Sequence, residues 1–166
     1  YFTLFCEQTQ PNARRFMTSA CVIETGKLSH LPDVVALEKA CFGADQFSKR
    51  QLAYLMTKAQ GAFLVACYEA RAVGYVSLVC RANSTNLRIY SIAVDPAFQG
   101  QHVGQLLLDK TLQFAHEQQL QQISLEVNVN NAAAIGFYQK NGFQTIGLIP
   151  AYYHDGSAAY RMRLEV

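Results

Sequence analysis

The chain has 166 residues, 51% of them hydrophobic, which is enough to bury the core of a single domain. Its formal charge of +2 is close to balance, and the sequence has no basic block of the kind that binds nucleic acid or a membrane surface. Neither nucleic acid nor a membrane is therefore expected as a partner.

Residues 1–16 are predicted to be a leader or extra N-terminal segment, because Met17 stands just before the first convincing strand. A docked additional strand is the alternative for this segment. Residues 17–166 are predicted to form the single domain, which begins with a strand over residues 19–24. Two helices should follow, the first capped by Ser29 and the second by Ser48.

The middle and end of the chain predict strands that alternate with helices. Two apolar runs indicate an antiparallel hairpin, and a strand, a tight turn and a helix follow over residues 87–120. Further strands are predicted over residues 122–128, 143–149 and 159–166. A short helix is predicted over residues 131–140, which Asn131 can cap and Asn141-Gly142 ends. This alternation is typical of a mixed α/β sheet.

The turn between the strand and the helix predicted over residues 87–120 has the features of an anion-binding site. Gly100 and Gly104 allow a ligand to approach the backbone closely, and unpaired amides at the start of the next helix attract phosphate. A P-loop is excluded because Gly104 is followed by Gln105 and Leu106 instead of Lys and Ser or Thr. An ordinary strand-to-helix turn is the alternative.

This turn resembles the acetyl-CoA signature of the GNAT family of N-acetyltransferases. Gln99 and Gly104 match the ends of that signature, whereas His102 occupies the position of its usual first Gly. Residues 125–143 resemble a later motif of the family, in particular of its RimI-like branch, with the Leu-Glu-Val, Asn-x-x-Ala-Ile and Tyr-x-x-x-Gly-Phe pieces in order. The resemblance extends over residues 17–166.

The resemblance implies a GNAT fold, which is a mixed, mostly antiparallel central sheet of about six to seven strands flanked by about four helices. Two neighbouring parallel strands are splayed at the cofactor site in this fold. It also implies acetyl-CoA as the cosubstrate and no metal. The residues expected to bind acetyl-CoA are Ile92, Ala93, Val94, Gln99, Gly100, Gln101, His102, Val103, Gly104, Gln105, Asn131 and Tyr138.

An acetyl transfer to an amine needs a base, since an ammonium group has no lone pair with which to attack a thioester. The resemblance assigns this role to Glu126, a carboxylate in an otherwise apolar strand. The alternative is a solvent-facing strand residue paired with Lys or Arg. Tyr138 matches the acid that protonates the leaving thiolate, and its alternative is a core aromatic.

Two pairs of aromatic residues are candidates for binding the acceptor. Tyr152 and Tyr153 resemble the tyrosines with which α-amino acetyltransferases enclose a peptide, and surface tyrosines without a substrate role are the alternative. In the family, the loop between the first two helices lines the acceptor site. Phe42 and Phe47 are therefore substrate candidates, although core packing is favoured for each.

The predicted activity is direct acetyl transfer to a primary amine, most simply the N-terminal α-amino group of a protein of the ribosomal type. An α-amine is deprotonated at a cost roughly 3 to 4 kcal/mol lower than a lysine amine at neutral pH. Transfer to a small-molecule amine or lysine is one alternative, and a non-catalytic acyl-CoA-binding sensor or interaction module is another. Both a monomer and a homodimer remain open.

The number and spacing of the cysteines indicate the cellular compartment of the protein. Cys6, Cys21, Cys41, Cys67 and Cys80 include no Cys-x-x-Cys pair, and an odd number at this spacing indicates buried thiols in a reducing compartment. A cytoplasmic location is therefore expected. The four histidines are too dispersed to predict a metal site.

Overall fold

The computed structural model describes residues 21–166, so the predicted leader and residues 19–20 of the predicted first strand lie outside the described part. The strands are β1 (Val22–Thr25), β2 (Gly61–Tyr68), β3 (Arg71–Cys80), β4 (Asn86–Val94), β5 (Gln122–Asn128), β6 (Gln144–Ile149) and β7 (Ala159–Glu165). The α-helices are α1 (Leu31–Phe42), α2 (Lys49–Thr57), α3 (Val103–Glu117) and α4 (Ala132–Lys140).

The strands form one seven-stranded sheet in the order β1-β2-β3-β4-β5-β7-β6. The pair formed by β4 and β5 is parallel, and the other five neighbouring pairs are antiparallel. The predicted fold class, a mixed and mostly antiparallel sheet with flanking helices, is confirmed.

The parallel pair is short because β4 contains a bulge. Ser91 pairs with Ser77 and Ile89 with Leu78, so Tyr90 is an extra residue on β4. A bulge of this kind bends its strand and ends regular pairing. The β4–β5 ladder accordingly stops at the pair of Arg88 with Ser124, although both strands continue beyond it. The two strands therefore diverge towards their carboxyl ends.

A separate core covers each face of the sheet. Leu107 of α3, Tyr138 of α4 and Leu125 of β5 belong to one core. The other core contains Val34 of α1 and Leu52 of α2. The sheet therefore separates α1 and α2 from α3 and α4.

Gly74 brings α3 close to the sheet. A Cβ atom at this position of β3 would lie 3.1 Å from the Ala93 carbonyl oxygen and 3.2 Å from the Val103 side chain. Contacts of this length are tighter than ordinary van der Waals packing, so a residue without a side chain fits best. The first turn of α3 is in this way fixed against the end of β4.

The predicted cap of the first helix is wrong, whereas that of the second is confirmed. Ser29 lies inside a short 3-10 turn (Leu28–His30), and α1 begins after it with Pro32 in its first turn. Proline has no amide hydrogen to be capped, so the start of α1 depends less on a capping side chain. Ser48 accepts a hydrogen bond from the Gln51 amide at 3.3 Å, as a cap of α2 should.

The structure also confirms the predicted stop of α4. Gly142 has a φ of 88°, and this left-handed conformation is the one in which helices commonly end at glycine. Within residues 21–166, none of the helices combines the length and the apolar composition needed to cross a bilayer.

Candidate active site

The turn between β4 and α3 is fixed to the end of β4 by side chains. Asp95 accepts a hydrogen bond from the Ala97 amide at 2.9 Å and forms an ion pair with Arg71 at 2.9 Å. The Gln99 side-chain amide donates to the Val94 carbonyl oxygen at 3.4 Å. The turn is therefore held in one conformation by contacts on both sides of the bend.

Two residues of this turn have left-handed backbone conformations. Gly100 has a φ of 72° and His102 a φ of 62°. A Cβ atom at Gly100 would meet no other heavy atom within 4 Å, so conformation, not space, favours glycine there. His102 takes the conformation that glycine adopts most easily, at a cost of roughly 1 kcal/mol, and its side chain is exposed.

The amino terminus of α3 follows directly and suits an anion. This helix is 15 residues long, its first turn has no acidic residue, and no side chain of the described residues caps it. The amides of its first turn lack carbonyl partners within the helix, and its dipole is positive at this end. The loop before α3 and the first turn of this helix thus present backbone amides that suit an anion such as a phosphate.

Glu126 lies two residues beyond the point where β4 and β5 part. Its side chain points to the face opposite Leu125 and Val127, as alternation along a strand requires, and it is 5% exposed. Its Oε2 atom lies 2.6 Å from Arg88 Nη2, and its Oε1 atom lies 3.3 Å from Arg161 Nε. The carboxylate is therefore buried and its charge is compensated by two guanidinium groups.

The sequence alternative for Glu126 is correct about the basic partners and wrong about exposure. Strand alternation indicates the face of the sheet on which such partners lie, but not which residues they are. Arg161 lies on β7 directly opposite Glu126, and Arg88 lies on the same face of β4. Sequence reasoning missed them because strand order and register are tertiary properties.

Tyr138 is fully buried on the other face of the sheet. It belongs to the core formed with α3 and α4, and its ring packs edge-on against Phe137 and Phe143, with centroids 5.3 and 5.4 Å away. Glu126 and Tyr138 consequently lie on opposite faces of the sheet.

The two tyrosines of the β6–β7 loop are not surface residues. Tyr153 is 4% exposed, and Tyr152 is half-buried with its hydroxyl 3.2 Å from Arg88 Nη2. Burial and the nearby Glu126 charge raise the pKa of Tyr152 to about 12, so its hydroxyl stays protonated. Burial, followed by the neighbouring Tyr152, likewise raises the pKa of Tyr153.

Phe42 and Phe47 lie in the core beneath the α1–α2 loop, each 6% exposed. The core role favoured by the sequence is thus what the structure shows for both. Phe47 stacks on Tyr90 with ring centroids 5.4 Å apart, and Tyr90 in turn lies 5.5 Å beneath the Arg88 guanidinium. Phe47 therefore packs against Tyr90, which in turn supports the Arg88 side chain.

A buried polar network that sequence reasoning missed fixes the same loop. Glu38 is fully buried, accepts a hydrogen bond from the Phe47 amide at 2.5 Å and contacts the Tyr75 hydroxyl, which lies 2.7 Å from Ser91 Oγ. Burial raises the pKa of Glu38 to about 7. Helical spacing was the available signal, since Glu38 follows Val34 by four residues on the apolar side of α1.

An exposed contact joins the α1–α2 loop to the β6–β7 loop. His154 Nδ1 of the β6–β7 loop lies 2.5 Å from Asp45 Oδ1 in the α1–α2 loop. On the opposite side, Asn131 accepts a hydrogen bond from the Ala134 amide at 3.0 Å, which confirms its predicted role as the cap of α4.

The fold also brings together Glu24, His30 and Cys67, which the sequence did not connect. His30 Nδ1 accepts the Lys27 amide at 3.1 Å, so Nε2 carries the ring proton and faces Glu24 at 3.1 Å. The Cys67 thiol also donates to Glu24, at 3.4 Å. These contacts describe a hydrogen-bonded cluster of three side chains.

Comparison with known proteins agrees with this geometry. Residues 31–143, about two thirds of the chain, match the model of the acetyltransferase (GNAT) family. The chain belongs to this family, as its two motifs predict. Over 96 residues it is 39% identical to N-alpha-acetyltransferase RimI of Mycobacterium tuberculosis, an alignment that covers 56% of the chain and 59% of that relative.

Two further relatives differ in how much of their length is matched. An uncharacterised protein of Mycobacterium leprae is 41% identical over 56% of this chain and 26% of its own length. A putative ribosomal protein bS18-alanine N-acetyltransferase of Bacillus subtilis is 25% identical over 84% of the chain and 91% of its own. The chain thus spans less than two thirds of the mycobacterial relatives.

Solved structures show the same architecture. The crystal structure of Ard1 from Thermoplasma volcanium superposes with a TM-score of 0.83 at 28% sequence identity, covering 89% of this chain and 98% of that one. The predicted GNAT fold is therefore confirmed.

Proposed function

We propose that this chain is an acetyl-CoA-dependent N-acetyltransferase that acts on the N-terminal α-amino group of a protein or peptide. The observation that carries the proposal is the early end of the β4–β5 ladder at Arg88, with Glu126 buried just beyond it. In this proposal the thioester, bound on the α3 side of the sheet, meets the acceptor amine between the diverging ends of these strands. The name of the mycobacterial RimI relative supports the choice of an α-amine.

The turn over residues 99–105 holds the diphosphate of acetyl-CoA through its amides, and Asn131 is a further proposed contact. Bound there, acetyl-CoA supplies the acetyl group as a thioester. In this proposal an amide among residues 92–94, on the diverging part of β4, stabilises the charge that develops on the carbonyl oxygen.

Glu126 accepts the proton that the acceptor ammonium must lose, directly or through water. In this proposal the amine arrives on the face of the sheet where Glu126 contacts Arg88 and Arg161. Tyr138, on the other face, donates a proton to the departing sulfur. The reaction is a direct transfer with no metal and no covalent enzyme intermediate.

Tyr152 and Arg88 are the proposed contacts to the amino end of the acceptor. The Tyr152 hydroxyl keeps its proton because its pKa is about 12, so it can donate to a peptide carbonyl while it accepts from Arg88. Tyr153 packs edge-on beneath Tyr152 with ring centroids 5.1 Å apart and holds it in place. The free thiols described for residues 21, 41, 67 and 80 support a reducing, cytoplasmic location.

A thiol-release assay over a panel of acceptors tests the proposal. The panel contains peptides with a free α-amine and no lysine, the same peptides with a blocked α-amine and one lysine, polyamines and aminoglycosides. We expect release with the first group, and mass spectrometry should place the acetyl group on the α-nitrogen.

Other outcomes separate the alternatives. Reaction of polyamines or aminoglycosides without reaction of peptides would show a small-molecule acetyltransferase. Calorimetric binding of acetyl-CoA without thiol release on any acceptor would show a non-catalytic acyl-CoA-binding module. Either result would overturn the proposed activity.

A further inference from the structure

A groove of about 510 Å³ extends from Glu126 along the face of the sheet that carries α1 and α2. Its floor is formed by outward-facing residues of β4, β5 and β7 over the paired part of the sheet. A volume of this size lies within the range of ligand-binding clefts. The groove is continuous with the proposed reaction centre because Glu126, Arg88 and Tyr90 line it.

The lining of this groove is strongly cationic. It contains four guanidinium groups, those of Arg81, Arg88, Arg161 and Arg163, and a single carboxylate, that of Glu126. The surplus of three positive charges in one groove exceeds the formal charge of +2 of the entire chain. Charge is thus concentrated at this place, where the walls of a cleft focus its field.

Two of the four arginines are not needed to compensate Glu126. Arg88 and Arg161 pair with it, whereas Arg163 lies 3.7 Å from Glu165, a side chain that is 67% exposed and outside the lining. Exposed pairs of this length contribute little. Within residues 21–166, the Arg81 side chain has no ion pair. Both guanidinium groups are therefore available to an anionic ligand.

The arrangement of the arginines fits an extended chain. Arg161 and Arg163 are two residues apart on β7, so they project from the same face about 6 to 7 Å apart. Arg161 pairs in register with Glu126 and Arg163 with Ser124, which orders them outward from the reaction centre. Alternate side chains of an extended peptide have the same spacing.

On the basis of the proposed function, we infer that this groove selects acceptor peptides with acidic side chains in the few residues after the acetylated amino terminus. The carboxylates of the peptide pair with Arg163 and Arg81, while its α-amine lies at Glu126. Arginine is suited to this role because its planar head binds a carboxylate through two parallel hydrogen bonds.

Three decapeptides that all begin with Ala and lack lysine provide the test. Positions 2 to 5 are Glu and Asp in the first, Gln and Asn in the second, and Arg in the third. We expect kcat/KM to be at least about thirtyfold higher for the acidic than for the basic peptide in 50 mM NaCl, and this ratio to shrink in 500 mM NaCl.

Charge-reversal variants connect the preference to the groove. Arg163→Glu and Arg81→Glu should each reduce the ratio by about tenfold, because an attraction is replaced by a repulsion. Lys39→Glu is the matched control, since Lys39 is exposed on α1 and does not line the groove. The same change of charge there should leave the ratio within about twofold.

Direct binding separates this inference from the proposed reaction. Calorimetry measures the affinity of the N-acetylated acidic peptide, which needs no turnover. Binding that Arg163→Glu abolishes would support the groove even if no peptide were acetylated. The inference would be overturned by equal kcat/KM for all three peptides, by a preference for the basic one, or by tighter binding of an oligonucleotide than of the acidic peptide. None of these results would contradict acetyl transfer to an α-amine, which the acceptor panel tests separately.

Discussion

Arg88 Nη2 lies 2.6 Å from Glu126 Oε2 and 3.2 Å from the Tyr152 hydroxyl, so one guanidinium group connects the proposed base with the proposed acceptor contact. Because β4 and β5 stop pairing at Arg88, this side chain stands at the edge of the opening between the strands. It therefore fixes the Glu126 carboxylate just beyond the end of the β4–β5 ladder.

Replacing Glu126 by Gln should lower kcat/KM by about 10² to 10³, because a neutral amide cannot accept a proton from an ammonium group. The Gln oxygen can still accept from Arg88, so the fold and the affinity for acetyl-CoA should persist. Glu117→Gln at the exposed end of α3 is the control and should retain full activity. Unchanged turnover of Glu126→Gln at neutral pH would remove Glu126 from the role of base.

Replacing Tyr138 by Phe should slow thiol release by about tenfold, which is less than the loss expected for the base. A thiol has an ordinary pKa of about 8.5, so its anion is a fair leaving group even without a proton donor. The ring contacts with Phe137 and Phe143 should keep the variant folded and able to bind acetyl-CoA. Wild-type turnover would instead leave Tyr138 with a packing role alone.

His102→Gly should stabilise the protein by about 0.5 to 1 kcal/mol, or about 1 to 4 °C in Tm, because glycine adopts a φ of 62° without strain. No cap is lost, since the imidazole makes no capping hydrogen bond to α3. Gly100→Ala is the complementary variant, and its positive φ should make it destabilising by a similar amount.

The variant His102→Gly also tests whether the diphosphate of acetyl-CoA can reach the amides of this turn. The backbone at His102 already has the conformation typical of glycine and the side chain is exposed, so the amides are already presented. We therefore expect the calorimetric Kd for acetyl-CoA to change by less than about threefold, which is about 0.6 kcal/mol. A gain of tenfold or more would show that the imidazole obstructs the diphosphate.

Local signals predicted most of the elements. The turn residues 99–105, the cap at Asn131 and the stop at Gly142 depend on contacts within a few residues, and all three lie where the sequence indicates. Ser29 shows the limit of local rules. It is a good capping residue, but the 3-10 turn incorporates it. The helix α1 then begins at Leu31 with Pro32 in its first turn, where proline has no amide hydrogen to be capped.

The interior of the site could not be predicted in the same way. Arg88 and Glu126 are 38 residues apart, and their meeting depends on strand order and on a bulge at Tyr90 that no residue type announces. Glu38 and Tyr75 are 37 residues apart on different elements. Periodicity gives the face on which such residues lie, whereas register and curvature decide which of them touch.

Glu38 should make the free energy of unfolding depend on pH, because this carboxyl group binds its proton with different affinities in the folded and unfolded states. Burial raises its pKa from 4.5 to about 7 in the folded chain, so the folded state binds this proton more tightly than the unfolded state. The stabilisation is fully present below pH 4.5, declines as the pH rises and is lost above about 7.

The variant Glu38→Gln should remove this dependence. Its amide oxygen can accept from the Phe47 amide and its NH₂ can donate to Tyr75, whose hydroxyl then donates to Ser91. Urea unfolding at pH 5 and pH 8 should show the wild type losing up to about 3 kcal/mol more than the variant between these values. Parallel losses in the two proteins would mean that Glu38 remains ionised in the core throughout this range.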